Sequence, residues 1–132
     1  MEDSTTEDSY EAAKKKAKGL YSKIGRVWCP ALNDYVVFNS EGFRHLIWKE
    51  GKHRFKSEQK RRFALISCAE EILKNENANL SYRETNNAVR VRFWAFTEKR
   101  DDKAIKLIVR QQDGGRKHFL SIFETNKKPT RK

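Results

Sequence analysis

The chain has two cysteines in 132 residues, and their placement excludes a structural zinc site. Cys29 and Cys68 form no CxxC pair and sit in no His/Cys cluster. Cys68, among Leu65, Ile66, Ala69 and Ile72, reads as a small core residue. One disulfide between the two stays open and is not needed. Long apolar runs are absent as well. None approaches the roughly 18 residues that a membrane span requires, and the acidic, polar N-terminus holds no apolar signal core. The expectation is a soluble, cytoplasmic protein without a membrane partner. Glycine-rich phosphate loops, a Ser/His/Asp order and internal repeats are also missing, which leaves kinase, serine-hydrolase and dinucleotide-binding readings without support.

The N-terminal stretch lacks cations and is acidic. Residues 1–12 carry five carboxylates (Glu2, Asp3, Glu7, Asp8 and Glu11) and no Lys or Arg. Formal charge over the whole chain is +11; taking those five acids from the 18 leaves 13 against 29 cations, or +16 for the rest. A body so charged is drawn to polyanions through counterion release, an attraction that carries neither sequence nor chemistry. The apolar fraction of 37% is enough for one modest core, so a single domain is expected.

The pattern predicts a disordered acidic tail at 1–8, one α+β domain at 9–124 and a basic, disordered tail at 125–132. Tyr10, Ala13, Ala17, Leu20 and Ile24 recur at helical spacing against a face of Lys14, Lys15, Lys16 and Lys18, predicting a helix from about Ser9. Two short strand-like runs, Arg26–Cys29 and Tyr35–Phe38, flank Pro30–Asp34 as a hairpin-like excursion. Ser40 is expected to cap a short helix, Glu41–Lys49, with Glu41 favouring its first turn. Ser57 is expected to cap a long core helix to Lys74 with one apolar stripe. Four strands follow, about Leu80–Glu84, Val89–Thr97, Ala104–Gln111 and Lys117–Glu124, with Asp113-Gly114 a hairpin signal. Short links predict an antiparallel four-stranded meander, one face covered by the helices.

Alternation then assigns faces. Val89, Val91, Phe93 and Ala95 are expected in the core, sending Arg90, Arg92, Trp94 and Phe96 outward. Ile105, Leu107 and Val109 face the helices, and Lys106 and Arg110 face out. The last strand is ambiguous: Leu120 and Ile122 pull His118 inward, and a bulge near Gly115 or Arg116 would reverse that. An outer face holding Arg92, Trp94, Lys106, Arg110 and Phe119 suits single-stranded RNA, whose phosphates meet cations and whose bases stack on rings.

RNA carries its own nucleophile, the ribose 2′-OH. Cleavage therefore needs a base, an acid for the departing 5′-oxygen, and cations for the developing charge. Histidine fits both proton roles. His45, beside Arg44, Trp48 and Lys49, and His118, beside Lys117, are the candidates; His53 reads as a surface residue. Ser121 is a candidate phosphate donor, and Glu84 and Glu124 are weak candidates as carboxylate bases.

The run Tyr35–Ile47, the basic loop after it and Lys60-Arg61-Arg62 opening a long helix resemble the barnase–EndoU–colicin–RelE-like nuclease superfamily, in particular its phage and bacterial members. So do Tyr82-Arg83-Glu84, Val91–Ala95, Ile105–Gln111 and Lys117–Ile122. The likeness spans about residues 24–124. It implies helices over a four-stranded antiparallel sheet and a metal-independent, often toxin-like endoribonuclease that uses no cofactor. Carried onto this chain, it implies His45, His118, Arg92 and Arg110 as catalytic groups. Lys117 and Ser121 follow as RNA ligands, beside Lys106, Trp94, Phe119 and Lys49 from the charge pattern. The lysine-rich first helix departs from the pattern, and no carboxylate clearly takes the base role. Expected partners are RNA, either tRNA or mRNA, and an acidic inhibitor if the protein is a toxin. A non-catalytic RNA-binding module and an adaptor docking on an acidic partner are the competing readings.

Overall fold

Alternation in the first hairpin decides the architecture. The computed structural model describes residues 2–77, 79–100 and 103–125. In it, β1 (Arg26–Cys29) and β2 (Asp34–Val37) pair antiparallel, and Val27, Cys29, Val36 and the adjoining Phe38 are buried. A hairpin with one fully apolar face must cover something. It covers the free edge of the meander: the Val37 amide donates to the Lys117 carbonyl at 2.9 Å, and Val37 pairs in parallel with His118.

The expected four-stranded meander is therefore corrected to a six-stranded sheet, curled into a half-barrel. Its later strands are β5 (Asn79–Asn86), β6 (Arg90–Arg100), β7 (Lys103–Gln112) and β8 (His118–Thr125). The order is β1-β2-β8-β7-β6-β5. The meander survives inside it, but its β8 edge is paired rather than bare.

Three helices are described. α1 runs from Glu2 to Ile24, so the start expected near Ser9 moves back and residues 2–8 of the expected acidic tail continue the helix. α2 spans Ser40–Ile47, capped by Asn39, whose side chain accepts from the Gly42 amide, and not by Ser40. It stops before Lys49 because Trp48–Lys49 (β3) and Lys52–His53 (β4) form a small hairpin. Positive φ at Glu50 and Gly51 makes that turn. α3 spans Lys56–Lys74 after Phe55, with no side-chain cap, so the expected Ser57 cap lies inside the helix. Residues 126–132, within the expected basic tail, lie outside the described residues. Between the helices and the sheet lie Leu46, Ile66, Ile72, Leu73, Phe96, Leu107, Val109, Phe119 and Ile122, each fully buried.

The face assignment of β6 is reversed. Phe96 pairs with Leu107, Trp94 with Val109 and Arg92 with Gln111, so these three β6 residues share the helix-facing side. Phe93 pairs with Arg110 and Thr97 with Lys106 on the other face. Both residue sets of β6 are amphipathic, and the register with β7 chooses between them. On β8 a bulge does what the alternation left open. Phe119 pairs with Val109 but Ser121 with Ile108, so Leu120 is the extra residue. Phe119 and Ile122 are then both buried while His118 stands beside Arg110 on the outer face.

Candidate active site

One transverse row crosses the outer face of the sheet. Arg83 lies opposite Phe93, Phe93 opposite Arg110, Arg110 opposite His118, His118 opposite Val37 and Val37 opposite Arg26. Aligned partners on adjacent strands project from the same side. Arg110 and His118 are thus neighbours by register, one strand spacing apart.

α2 supplies the rest. Among the described residues, β8 past His118 has no strand on its outer edge, and α2 settles there because residue 42 is glycine. A Cβ at Gly42 would lie 2.3 Å from the Phe119 carbonyl oxygen and 2.5 Å from the Tyr21 hydroxyl. Close seating brings Glu41 over the row, where Arg110 Nη2 donates to Glu41 Oε2 at 2.5 Å. His45 follows Glu41 by four residues and so leaves from the same flank of the helix. The far end of α2 is held by Arg54, whose Nε donates to the His45 carbonyl at 2.9 Å. A cation at helix-terminal carbonyls is favourable on both hydrogen-bond and dipole grounds.

Glu41, His45, Arg110 and His118 are one electrostatic unit. Burial holds His45 below the ordinary histidine value, with the Arg110 charge next and Glu41 opposing. Burial likewise lowers His118, again with Arg110 second and Glu41 opposing. The bond from Arg110 is the main cause that holds Glu41 below the usual carboxylate range. At neutral pH the set is a carboxylate, a guanidinium and two neutral rings. His118 is 8% exposed; a backbone hydrogen bond to Arg116 engages its ring, and Nε2 is buried without a hydrogen-bond partner. With Nδ1 spoken for, Nε2 is left as a proton-accepting lone pair.

Other expected site residues lie elsewhere. Arg92 is on the opposite face, contacting Gln111 at 3.3 Å and Glu84 at 4.0 Å. Trp94 shares that face, half-buried beside Tyr82, with the Lys117 ammonium 5.3 Å from its ring centre. Lys117 pairs with Asp34 at 2.9 Å. Phe119 is fully buried and stacked on Phe38 at 4.9 Å, so no base reaches it. Ser121 is buried and accepts from Arg62 of α3 at 2.8 Å, which fixes helix to sheet. Lys106 stays on the outer face, and Lys49 is exposed on the β3–β4 hairpin. His53 is exposed and packs on Trp48 at 4.0 Å. Of the carboxylates, Glu84 is engaged by Tyr82, Arg90 and Arg92, and Glu124 by Lys103.

In the sequence Glu41 stands out only as a helix-dipole charge; its four-residue spacing to His45 is the usable signal. Among the described residues no three His, Cys, Asp or Glu side chains converge to hold a metal ion, and no helix is long and apolar enough to cross a membrane. Both cysteines are free. No protein-family model matches the chain, and no curated protein or solved structure matches it significantly.

Proposed function

We propose that this protein is a metal-independent endoribonuclease that cuts single-stranded RNA by attack of the 2′-OH, in keeping with the nuclease-superfamily resemblance. The observation that carries the reading is the coupled Glu41–His45–Arg110–His118 set, drawn from α2, β7 and β8.

The chemistry follows from the protonation states. A phosphodiester seated on Arg110 exchanges with Glu41 for the guanidinium and brings negative charge beside both rings. That charge raises their proton affinity. His118 Nε2 takes the 2′-OH proton as the 2′-oxygen bonds to phosphorus. His45, protonated under the combined influence of the phosphate and Glu41, gives its proton to the 5′-oxygen as the P–O5′ bond breaks. The products are a 2′,3′-cyclic phosphate and a free 5′-hydroxyl, and Arg110 offsets charge on the pentacoordinate phosphorus. Each proton role is worth about 10²–10⁴-fold.

End-labelled RNA incubated with the protein in excess chelator tests this. Cyclic-phosphate ends are expected, and they are lost on His118→Ala. Uncut RNA with wild-type protein across several sequences would overturn the reading. An acidic inhibitor protein is the partner proposed if the activity is toxic to its host.

A further inference from the structure

The two flanks of the outer row carry aromatic rings backed by cations. On β6, Phe93 lies under the Arg83 guanidinium, 4.8 Å from the ring centre. On the hairpin side Arg26 covers Tyr35 at 4.2 Å, and Trp28 meets the Tyr35 ring at 5.1 Å, edge to face. Trp28 and Tyr35 alternate with buried Val27, Cys29 and Val36, which puts them on the face of Val37 and His118. They are 43% and 41% exposed. Phe93 and the β1 residues each stand two strands from His118, roughly 10 Å to either side.

Single exposed rings are normal, and a guanidinium over one is weakly attracted to its face. What bears on a ligand is that these rings and cations flank the row on both sides. Neither Arg26 nor Arg83 has a carboxylate within ion-pair distance among the described residues. A surface of flat rings interleaved with unmatched cations complements a chain that alternates flat bases with phosphates.

Resting on the cleavage reading, we propose that the substrate is a single-stranded RNA segment whose bases stack on both sides of the cut. One flank lies on Phe93 with Arg83, the other on Tyr35 and Trp28 with Arg26. Duplex RNA hides its base faces and is rejected.

The test uses the full chain and a fluorescent single-stranded oligoribonucleotide with a 2′-O-methyl group at each position, which removes the nucleophile so that binding is read without cleavage. A Trp28→Ala/Tyr35→Ala double variant is expected to weaken binding about fivefold or more, the low end for a lost base stack. Phe93→Ala is expected to do the same, and a matched duplex to bind worse than the single strand. Both substituted rings of the double variant are exposed, so it reads the surface even where Phe93→Ala unfolds. With cleavable RNA, the kcat/KM advantage of a long oligonucleotide over a dinucleotide shrinks by a similar factor in the double variant. Binding within twofold of wild type, or equal duplex affinity, overturns the platforms; continued cleavage in that case leaves the nuclease reading standing. Binding loss in a protein whose wild type cuts no RNA removes the cleavage reading and keeps the platforms.

Discussion

The two faces of the sheet use the same cations for different ends. On the helix-facing side, Arg90 and Arg92 share Glu84, Lys117 meets Asp34 and Lys103 meets Glu124. On the outer side, Arg26 and Arg83 lie over rings, and Arg110 meets a carboxylate that belongs to a separate helix. Cations paired with acids on neighbouring strands are cross-strand partners of the sheet. Cations laid over rings, or tied to an acid beside two imidazoles, are the ones that the proposed function assigns to a polyanion. A count of arginines cannot separate these cases; the partner of each one can.

The comparison breaks most sharply at His118. Substituting it with Ala is expected to lower cleavage by about 10²–10⁴-fold with the helical circular-dichroism signal kept; retained activity would remove the outer face from the chemistry. Next comes the support beneath it. Phe119→Ala should cost about 3–5 kcal/mol in denaturant unfolding, as for any fully buried aromatic ring. Gly42→Ala should cost about 1–3 kcal/mol and reduce activity together with stability, because the added methyl pushes α2 off β8. An activity loss from Gly42→Ala without a stability loss would refute that seating.

Acid is the third probe. Both imidazoles are depressed in the folded protein, so the unfolded chain takes up protons first. Their stabilising preference for the neutral form is complete above about pH 6.5, the unfolded histidine value. It is lost as pH falls through the lower folded values. Glu41, also depressed, adds a second loss below about pH 4.3. Melting temperature should fall on moving from pH 7.5 to pH 5.5, and the fall should be smaller in His118→Asn. The smallest effect is expected on the helix-facing side: Arg92→Ala should move stability by less than about 1 kcal/mol and cleavage by less than twofold. A large loss of cleavage there would return Arg92 to the site.

Much of this was legible in the sequence, and what was not has identifiable causes. The helix stripes on α1 and α3 and the strands of β7 read correctly because one face of each is strongly apolar. Residue type and neighbours alone point to His45 and His118 as candidates, and the fold brings the two near Arg110 and Glu41. β6 was misread because Phe93 and Phe96 sit on opposite faces with similar apolar weight. An arginine laid over Phe93 lets that ring remain outside, and only the pairing Phe96–Leu107 reveals the choice. The six-stranded sheet was missed because a single parallel pairing, Val37 with His118, joins the hairpin to β8. Parallel contacts between strands far apart in the chain leave no local pattern. Glu41 was passed over because its role requires α2 to lie on β8, which in turn depends on a missing side chain at position 42.

The extra residue at Leu120 uncouples the two ends of β8. Without the bulge, His118 and Ile122, four residues apart, would share one face, and burying Ile122 would turn the imidazole inward. With it, the apolar half is free to lock into the interior while the leading residue keeps its own orientation. Removing that single leucine would leave His118 and Ile122 an odd number of residues apart in an unbroken ladder, still on opposite faces. A one-residue deletion there is therefore expected to straighten β8 while keeping the buried isoleucine and the outward histidine, whereas inserting a residue beside it would set the two against each other.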